Sequence, residues 1–332
     1  MTATDTLHRP LHDLRISVTD RCNFRCRYCM PAEDFGPGHN FLPRSEILSF
    51  EEIVRVARVA TGVGVRKLRL TGGEPLLRRG IEDLVAMLST LDGIEEIALT
   101  TNGTLLAHHA EALALAGLAR VTVSLDALDP LVFGHMNGVG ARVERVLAGI
   151  EAARTFGLGV KVNSVIQRGV NESEILPLAR WAREQQLTLR FIEFMDVGET
   201  NHWNSAQVID AQEILSIIGR EFPLDPLPPT HAGETARRWG FADRRGEIGI
   251  IASVSQPFCR GCTRLRLSAD GQLFTCLFAS HGHDLRPQLR GRADDSVLHS
   301  ALLGLWQSRD DRYSEQRGQV HAPKAEMSYL GG

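Results

Sequence analysis

The chain has 332 residues, of which 43% are hydrophobic and 23% are charged, and this balance is ordinary for a globular protein with a sizeable core. Its 37 Lys and Arg residues stand against 40 Asp and Glu residues, so the net charge is −3, which argues against a nonspecific nucleic-acid binder. No apolar run has the length that a transmembrane helix requires. An anion-binding site must therefore be built locally, from a few basic residues that point inward.

Strands alternate with helices through the first two thirds of the chain. The hydrophobic pattern predicts strands at 14–18, 67–71, 97–101, 121–126, 160–165 and 189–194. Helical periodicity predicts helices at 50–61, 81–91, 104–116, 141–156 and 174–185. This alternation indicates βαβ units and a parallel sheet. The predicted fold is α/β, an incomplete (β/α)6 TIM-like barrel, and such barrels place their chemistry at the C-terminal ends of the strands.

The pattern changes after residue 195. Residues 222–247 are rich in Pro, Gly and charge, and we interpret them as a long connection. Short strands follow around 246–251 and within 263–276, where Asp270-Gly271 is a hairpin-turn signal, and a helix is predicted near 295–308. We therefore predict two units, a partial barrel over 1–221 and a smaller C-terminal region over 222–332.

All six cysteines of the chain fall into two triplets: Cys22, Cys26 and Cys29, then Cys259, Cys262 and Cys276. Disulfides are disfavoured because the first residues, MTATDTLHRPLHDLRISV, contain no apolar signal segment and a chain of this length does not need covalent staples. We expect a reducing, cytoplasmic location.

Two kinds of metal site remain open for the triplets. Structural zinc usually takes four ligands, so each triplet would have to borrow one, and His281 or His283 is available near Cys276. An iron–sulfur cluster is normally held by cysteine thiolates. With only three thiolates, one iron keeps an open position, and an open position distinguishes catalytic metal centres from structural ones.

The C-x3-C-x2-C spacing, with Tyr28 directly before Cys29, resembles the signature of the radical S-adenosylmethionine superfamily. TGGEP at 71–75 resembles that superfamily's motif for the methionine amino group. Further segments narrow the resemblance: LRISVTDRCNFRCRYCMP, TTNG, FIEFMDVG, FCRGCTRLRLSADG and SYLGG. From about Leu11 to Gly332 the chain is similar to the GTP 3′,8-cyclase family of molybdenum cofactor biosynthesis.

The resemblance implies two [4Fe-4S] clusters and S-adenosyl-L-methionine as cofactors. The first triplet would hold the cluster that binds S-adenosylmethionine, whose contacts would be Tyr28, Gly73, Ser124 and Met195. An adenosyl radical would abstract the hydrogen at C3′ of GTP, and the ribose radical would attack C8 of guanine to give 3′,8-cyclo-7,8-dihydro-GTP. The second triplet would hold a cluster that contacts the purine, and Arg15 would position the substrate and assist as a catalytic residue.

The same resemblance implies a set of GTP contacts: Arg15, Lys67, Arg69, Thr100, Lys161, Arg264, Leu265 and Arg266. Strand parity supports part of this set, because Arg264 and Arg266 are two residues apart and emerge on one face while Leu265 faces the other way. Arg190 is a weaker candidate. The alternative is that these cations form ion pairs with carboxylates such as Glu74, Glu193 or Asp126, or are solvated on the rim.

The final Gly331 and Gly332 would, by the same resemblance, reach into the active site as bare backbone. The implied partners are GTP, an electron donor and a downstream cyclic pyranopterin monophosphate synthase, with no nucleic acid and no membrane; the oligomeric state is left open, a homodimer included. Two other functions stay open, a radical enzyme of the same superfamily that acts on a peptide and a non-enzymatic zinc-binding nucleotide sensor.

Overall fold

Eight parallel strands form the centre of a twelve-stranded sheet in the computed structural model, which describes residues 3–231, 233–291, 293–319 and 322–331. The strands are β1 Asp13–Ser17, β2 Lys67–Thr71, β3 Glu96–Thr101, β4 Arg120–Ser124, β5 Gly159–Ile166, β6 Thr188–Glu193, β7 Leu224–Leu227, β8 Arg237–Phe241, β9 Glu247–Ile251, β10 Arg264–Leu267, β11 Gln272–Phe274 and β12 His283–Asp284. Their order in the sheet is β12-β11-β10-β1-β2-β3-β4-β5-β6-β9-β8-β7.

Helices connect the parallel strands. They are α1 Phe50–Val63, α2 Ile81–Ser89, α3 Leu106–Leu115, α4 Pro130–Asn137, α5 Val143–Thr155, α6 Ile175–Glu184, α7 Ala211–Gly219, α8 Arg286–Arg290, α9 Asp295–Gln307 and α10 Met327–Leu330. The six strands and six helices predicted from the sequence pattern are all present, with ends that differ by up to two residues, and the predicted parallel pairing of β1 to β6 is confirmed. Among the described residues, no helix is long and apolar enough to cross a membrane.

Alternation along β1 and β2 divides the sheet into two faces. Leu14, Ile16, Leu68 and Leu70 are completely buried in the hydrophobic core, on the face that the helices cover. Arg15 and Arg69, between them in sequence, lie side by side in the register of the two strands and point to the opposite face, because side chains alternate along a strand. The hydrophobic core on one face therefore orients basic residues on the other.

The interpretation of 222–247 as a long connection is wrong. β7 and β8 pair antiparallel within it, and β8 pairs antiparallel with β9. Pro226 lies in β7, which is an edge strand of the sheet, and an edge strand tolerates the missing N–H of proline. The predicted hairpin is confirmed, since β10 and β11 pair antiparallel across Asp270-Gly271.

Glu193 joins β6 to the elements that follow it. This carboxylate is completely buried and accepts hydrogen bonds from the backbone N–H of Ala211 at 2.9 Å, Val254 at 2.8 Å and Ser255 at 2.8 Å, and from the Ser255 hydroxyl. Every partner is a donor, so the position requires a group that only accepts. The start of α7 and the loop after β9 are thereby fixed to the end of β6.

We expect Glu193→Gln to lower the free energy of unfolding by about 1–3 kcal/mol, because the new amide NH2 would face donors and leave buried N–H groups unpaired. The measurement is urea-induced unfolding. The matched control is Glu184→Gln, at an exposed position of α6, which should change that free energy by less than about 0.5 kcal/mol. Equal stability of the two variants would contradict this account of Glu193.

Candidate active site

One cavity of about 350 Å³ lies on the polar face of the parallel strands. Each of the eight parallel strands contributes to its wall, with Arg15, Arg69, Thr100, Ser124, Lys161, Arg190, Ile251 and Arg266 as examples. The sheet therefore curves around this space. All six cysteines line the same cavity, although the two triplets are more than 200 residues apart in the printed sequence.

The first triplet lies in the loop after β1, at the C-terminal end of the strand. Its backbone is held by hydrogen bonds from Cys29 N–H and Met30 N–H to Cys26 O at 2.9 and 2.8 Å, and the Arg25 guanidinium donates to Cys22 O at 2.8 Å. Burial, and secondarily Glu74, raises the pKa of Cys22 to about 11. Burial also raises the pKa of Cys26 and of Cys29.

Three thiols with raised pKa values favour a ligand that brings its own positive charge, because metal ligands must be deprotonated. Three cysteines from one loop at one cavity also fit the thiolate donor set of an iron–sulfur cluster. No disulfide joins any of the six cysteines. Among the described residues, no three His, Cys, Asp or Glu side chains converge on a single metal-ion position.

Gly73 is required where the loop after β2 passes the cysteine loop. Its N–H donates to Thr19 O at 2.8 Å, and the next residue, Glu74, donates its N–H to Arg21 O at 2.8 Å. A Cβ at Gly73 would lie 2.4 Å from Arg21 O, closer than two such atoms approach. The glycine thus permits contact between two loops, whereas the family resemblance implied a contact with S-adenosylmethionine.

Glu74 connects the two motifs TGGEP and TTNG. Its buried carboxylate accepts hydrogen bonds from Thr101 Oγ1 at 2.7 Å and Asn102 N–H at 2.8 Å. Burial raises the pKa of Glu74 to about 7, although these hydrogen bonds act to lower it. The Asn102 amide in turn lies 4.0 Å from Cys22 Sγ, so the motif at the end of β3 also borders the first triplet.

The four predicted S-adenosylmethionine contacts, Tyr28, Gly73, Ser124 and Met195, all line the cavity. The Tyr28 hydroxyl donates to Asp126 Oδ2 at 2.7 Å, while Asp126 Oδ1 accepts from Val165 N–H at 2.8 Å. Burial raises the pKa of Asp126 to about 6. The sequence offered Asp126 only as an ion-pair partner for a cation, and its contact with Tyr28 depends on residues 98 positions apart in the chain.

Six basic side chains line the cavity without forming an ion pair in the described part of the chain: Arg15, Arg69, Lys161, Arg190, Arg264 and Arg266. Glu74, Glu193 and Asp126 accept from hydroxyl and backbone groups instead. Burial, with neighbouring cations, lowers the pKa of Arg15 to about 9, of Lys161 to about 8 and of Arg190 to about 10. These six cations therefore lie close together in the cavity, and among the described residues none is directly paired with a carboxylate.

Lys67 differs from this set. It forms an ion pair with Glu96 at 2.6 Å, and Glu96 also contacts Arg120. Both cations line the cavity, so one carboxylate fixes two of them at its edge. Sequence reasoning missed Arg120, which is the first residue of β4 and lies just before the predicted strand 121–126. No local pattern distinguishes it from an ordinary exposed arginine.

The second triplet has basic surroundings. Cys259 begins a single helical turn, Cys259–Gly261, and Cys262 follows it directly. Cys276 lies after β11. The Arg309 guanidinium donates to Cys262 Sγ at 3.2 Å. Burial opposes ionisation of Cys262, but Arg264 and Arg309 outweigh it and hold the pKa of this thiol at about 6. Burial raises the pKa of Cys276 to about 12.

The remaining predicted contacts are placed as follows. Thr100 lines the cavity and accepts from Arg69 at 3.2 Å. Leu265 does not border the cavity; its side chain is completely buried in the hydrophobic core, so only its backbone is left for the predicted contact. His281 and His283, the possible fourth zinc ligands, are not among the residues that line the cavity.

Gly331 lies at the wall between β1 and β2. Arg266 donates to its carbonyl oxygen, and a Cβ at this position would lie 1.9 Å from Thr71 Oγ1. Its φ of 74° is also a conformation that favours glycine. Met327 and Ser328, in the same segment, line the cavity. Gly332, the other predicted residue, lies outside the described residues.

Known families and proteins match successive parts of the chain or nearly all of it. Residues 16–182 match the Radical SAM superfamily, and residues 187–315 match the family described as Molybdenum Cofactor Synthesis C. A GTP 3′,8-cyclase from Acidothermus cellulolyticus is 52% identical over 99% of this chain and 98% of its own. A GTP 3′,8-cyclase from Staphylococcus saprophyticus is 46% identical, again over 99% of this chain and 98% of its own.

Solved structures share the fold. Streptococcus suis SuiB has a TM-score of 0.62 at 16% sequence identity, and the match covers 95% of this chain and 69% of that chain. SuiB bound to S-adenosylmethionine gives a TM-score of 0.60. At this identity the likeness concerns the fold alone.

We expect Gly73→Ala to lower the free energy of unfolding by about 1–3 kcal/mol, the usual effect of overpacking, because the added methyl overlaps backbone that has no rotamer with which to avoid it. The matched control is Gly38→Ala, in the loop that follows the first triplet, where a Cβ would have no neighbour within 4 Å. Chemical unfolding of the two variants measures the difference. Loss of stability in both, or in neither, would show that the contact with Arg21 is not what requires glycine.

Proposed function

The chain belongs to the GTP 3′,8-cyclase family of radical S-adenosylmethionine enzymes, and from that premise we propose that it converts GTP to (8S)-3′,8-cyclo-7,8-dihydroguanosine 5′-triphosphate, the first step of molybdenum cofactor biosynthesis. The observation that carries the proposal is a single cavity that contains both cysteine triplets and six cations without ion-pair partners. A small polyanion that must meet two metal centres is the kind of substrate that such a cavity fits.

Cys22, Cys26 and Cys29 would hold a [4Fe-4S] cluster, because three thiols of one loop border the cavity and leave one iron for S-adenosylmethionine. Bound there, the cluster and S-adenosylmethionine supply one-electron cleavage chemistry and a hydrogen-abstracting radical. The residues of this chain position the cofactor. Tyr28 is oriented by its 2.7 Å hydrogen bond to Asp126, and Gly73, Ser124 and Met195 complete the wall on that side.

Cys259, Cys262 and Cys276 would hold a second [4Fe-4S] cluster whose open iron faces the guanine base. Arg15, Arg264 and Arg266 are cavity-lining cations whose charges interact with the thiols of this triplet. Arginine offers a planar fork of donors, so these three would position the base and the ribose, with Arg15 as the catalytic candidate.

The triphosphate would extend away from the first triplet, towards the N-terminal ends of the strands. Lys67 and Arg120 are the first residues of β2 and β4, and Lys161 and Arg190 are the third residues of β5 and β6. Arg120 and Arg190 are also the cations that depress the pKa of Lys161 most. A bound triphosphate would remove the repulsion among them, which gives the substrate part of its binding free energy.

The finer organisation follows from the same proposal. Strands β1 to β6 would form an incomplete (β/α)6 barrel within 1–221, and 222–332 would be the C-terminal region that adds strands at both edges of the sheet and supplies the second triplet. The segment that ends in Gly331 and Gly332 would lie against the substrate. We keep a cytoplasmic location, an external electron donor and a downstream synthase as parts of this proposal.

An anaerobic assay tests the function. Protein reconstituted with iron and sulfide receives S-adenosylmethionine, a reductant and GTP, and mass spectrometry detects 5′-deoxyadenosine and a cyclised isomer of GTP. We expect both products with GTP, and no cyclised nucleotide with ATP or with Cys259→Ser. If 5′-deoxyadenosine forms while GTP stays unchanged, the first site is correct and the substrate is wrong, which would reopen a peptide substrate. If neither product forms in iron-replete protein, the proposal fails.

We also expect the affinity for GTP to fall as the pH rises through about 8. Burial and neighbouring cations lower the pKa of Lys161 to about 8 in the ligand-free protein, and a bound triphosphate would raise that pKa again. Binding therefore takes up a proton above pH 8, and the dissociation constant rises by up to about tenfold per pH unit until the pKa of the complex is reached.

Calorimetric titration of GTP into the reconstituted protein without reductant measures this pH dependence. Lys161→Met should bind GTP more weakly below pH 8 and should lose the decline above it. A decline of the same slope in Lys161→Met would assign the pH dependence to another group and would contradict the placement of Lys161 at the triphosphate.

A further inference from the structure

The N-terminal segment 3–11 and the end of α9 enclose the second cysteine triplet from outside the cavity. Arg9 and Arg309 are only 2% and 4% exposed, and Asp5 between them is 4% exposed. Asp5 forms ion pairs with both, at 2.5 Å to Arg9 and 3.4 Å to Arg309. Arg309 also pairs with Asp311 at 3.3 Å, so two arginines and two carboxylates form one network beside the triplet.

Both arginines reach the cysteine residues themselves. Arg9 donates to Cys259 O at 2.9 Å, and Arg309 donates to Cys262 O at 2.9 Å and to Cys262 Sγ at 3.2 Å. The guanidinium of Arg309 also lies over the Trp306 ring, 4.6 Å from its centroid. These contacts leave Arg309 little freedom, so its bond to the sulfur is a fixed feature of the fold.

The first triplet has no equivalent contact among the described residues. Residues outside this triplet donate two hydrogen bonds to its sulfur atoms, and both go to Cys22. The donors are Phe24 N–H at 3.4 Å and the Asn102 amide at 4.0 Å, and both are neutral. The carboxylates of Glu74 and Asp126 lie near this triplet instead. The two sets of three cysteines therefore differ in the charge that surrounds them.

We propose that Arg309 is a positioning residue for the second cluster, which it holds through Cys262 and whose reduction potential it raises by a charge-assisted hydrogen bond to the ligating sulfur. The inference rests on the second cluster of the proposed function. Hydrogen bonds to sulfur and nearby positive charge stabilise the more negative, reduced form of an iron–sulfur cluster. Asp5 and Trp306 orient the guanidinium of Arg309. Arg9 holds the backbone of Cys259 through its hydrogen bond to the Cys259 carbonyl oxygen.

The test compares Arg309→Gln and Arg309→Lys with Arg260→Gln in reconstituted holoprotein. Arg260 is the matched control, because it lies between Cys259 and Cys262 in sequence but its side chain is 90% exposed, so its removal takes away the same charge without a sulfur contact. The readouts are iron and sulfide content, thermal unfolding, and the midpoint potentials of both clusters from a redox titration followed by electron paramagnetic resonance.

We expect Arg309→Gln to lower the midpoint potential of the second cluster by at least about 59 mV, which is a tenfold change in a one-electron reduction equilibrium. Arg309→Lys should fold as the unmodified protein does and give a smaller shift in the same direction, because it keeps the charge but loses the planar fork. Arg260→Gln should leave both potentials unchanged, and all three variants should leave the first cluster unchanged.

Two different results would overturn the inference, and they are distinguishable from each other. In the first result, the midpoint potential of the second cluster is the same in both Arg309 variants as in Arg260→Gln. That result would remove the role of Arg309 and leave the proposed function intact. Unmodified protein with a single cluster, and with the same iron content after Cys259→Ser, would instead remove the second cluster on which the inference depends. If Arg309→Gln does not fold, Arg309→Lys alone decides the first of these results.

Discussion

The repulsion among cations enclosed in one cavity is the constraint on which the rest of this structure depends. Arg15, Arg69 and Lys161 face the same space and have no carboxylate partner among the described residues. Charges that leave water without a partner oppose folding, so the opposite face of the same strands must offset them. It does so with completely buried side chains such as Leu14 and Leu68. The fold is thus stable on one face of the sheet and electrostatically strained on the other, and an anionic ligand relieves that strain.

Cys262 of the second triplet lies in an electrostatic environment opposite to that of Cys22 and Cys26 of the first. Glu74 and Asp126 lie near the first triplet and raise the pKa values of its thiols beyond the effect of burial, whereas Arg264 and Arg309 stabilise the thiolate of Cys262. If both triplets bind clusters of one type, these charges and not the ligands distinguish the two clusters.

Sequence reasoning succeeded where the signal is local. The hydrophobic pattern predicted β1 and β2, and Asp270-Gly271 predicted the hairpin of β10 and β11. It failed where the signal is a contact between distant residues. β7 contains Pro226 and has no sustained alternation, and it becomes a strand only through pairing with β8. Gly73 was predicted as a cofactor contact, whereas the atoms that exclude a Cβ there belong to the backbone of Arg21, which no motif reveals.

The segment 327–331 shows how the cavity wall is completed by backbone instead of side chains. Gly331 accepts a hydrogen bond from Arg266, so this cation is bound to a neutral carbonyl and keeps its charge for another partner. Tyr329 anchors the segment through its hydroxyl, which donates to Asp270 Oδ1 at 2.6 Å in the β10–β11 turn. Because Thr71 leaves no space for a Cβ at Gly331, any larger residue there must displace the segment from Arg266. The wall, the orientation of Arg266 and the turn at Asp270 therefore depend on one another.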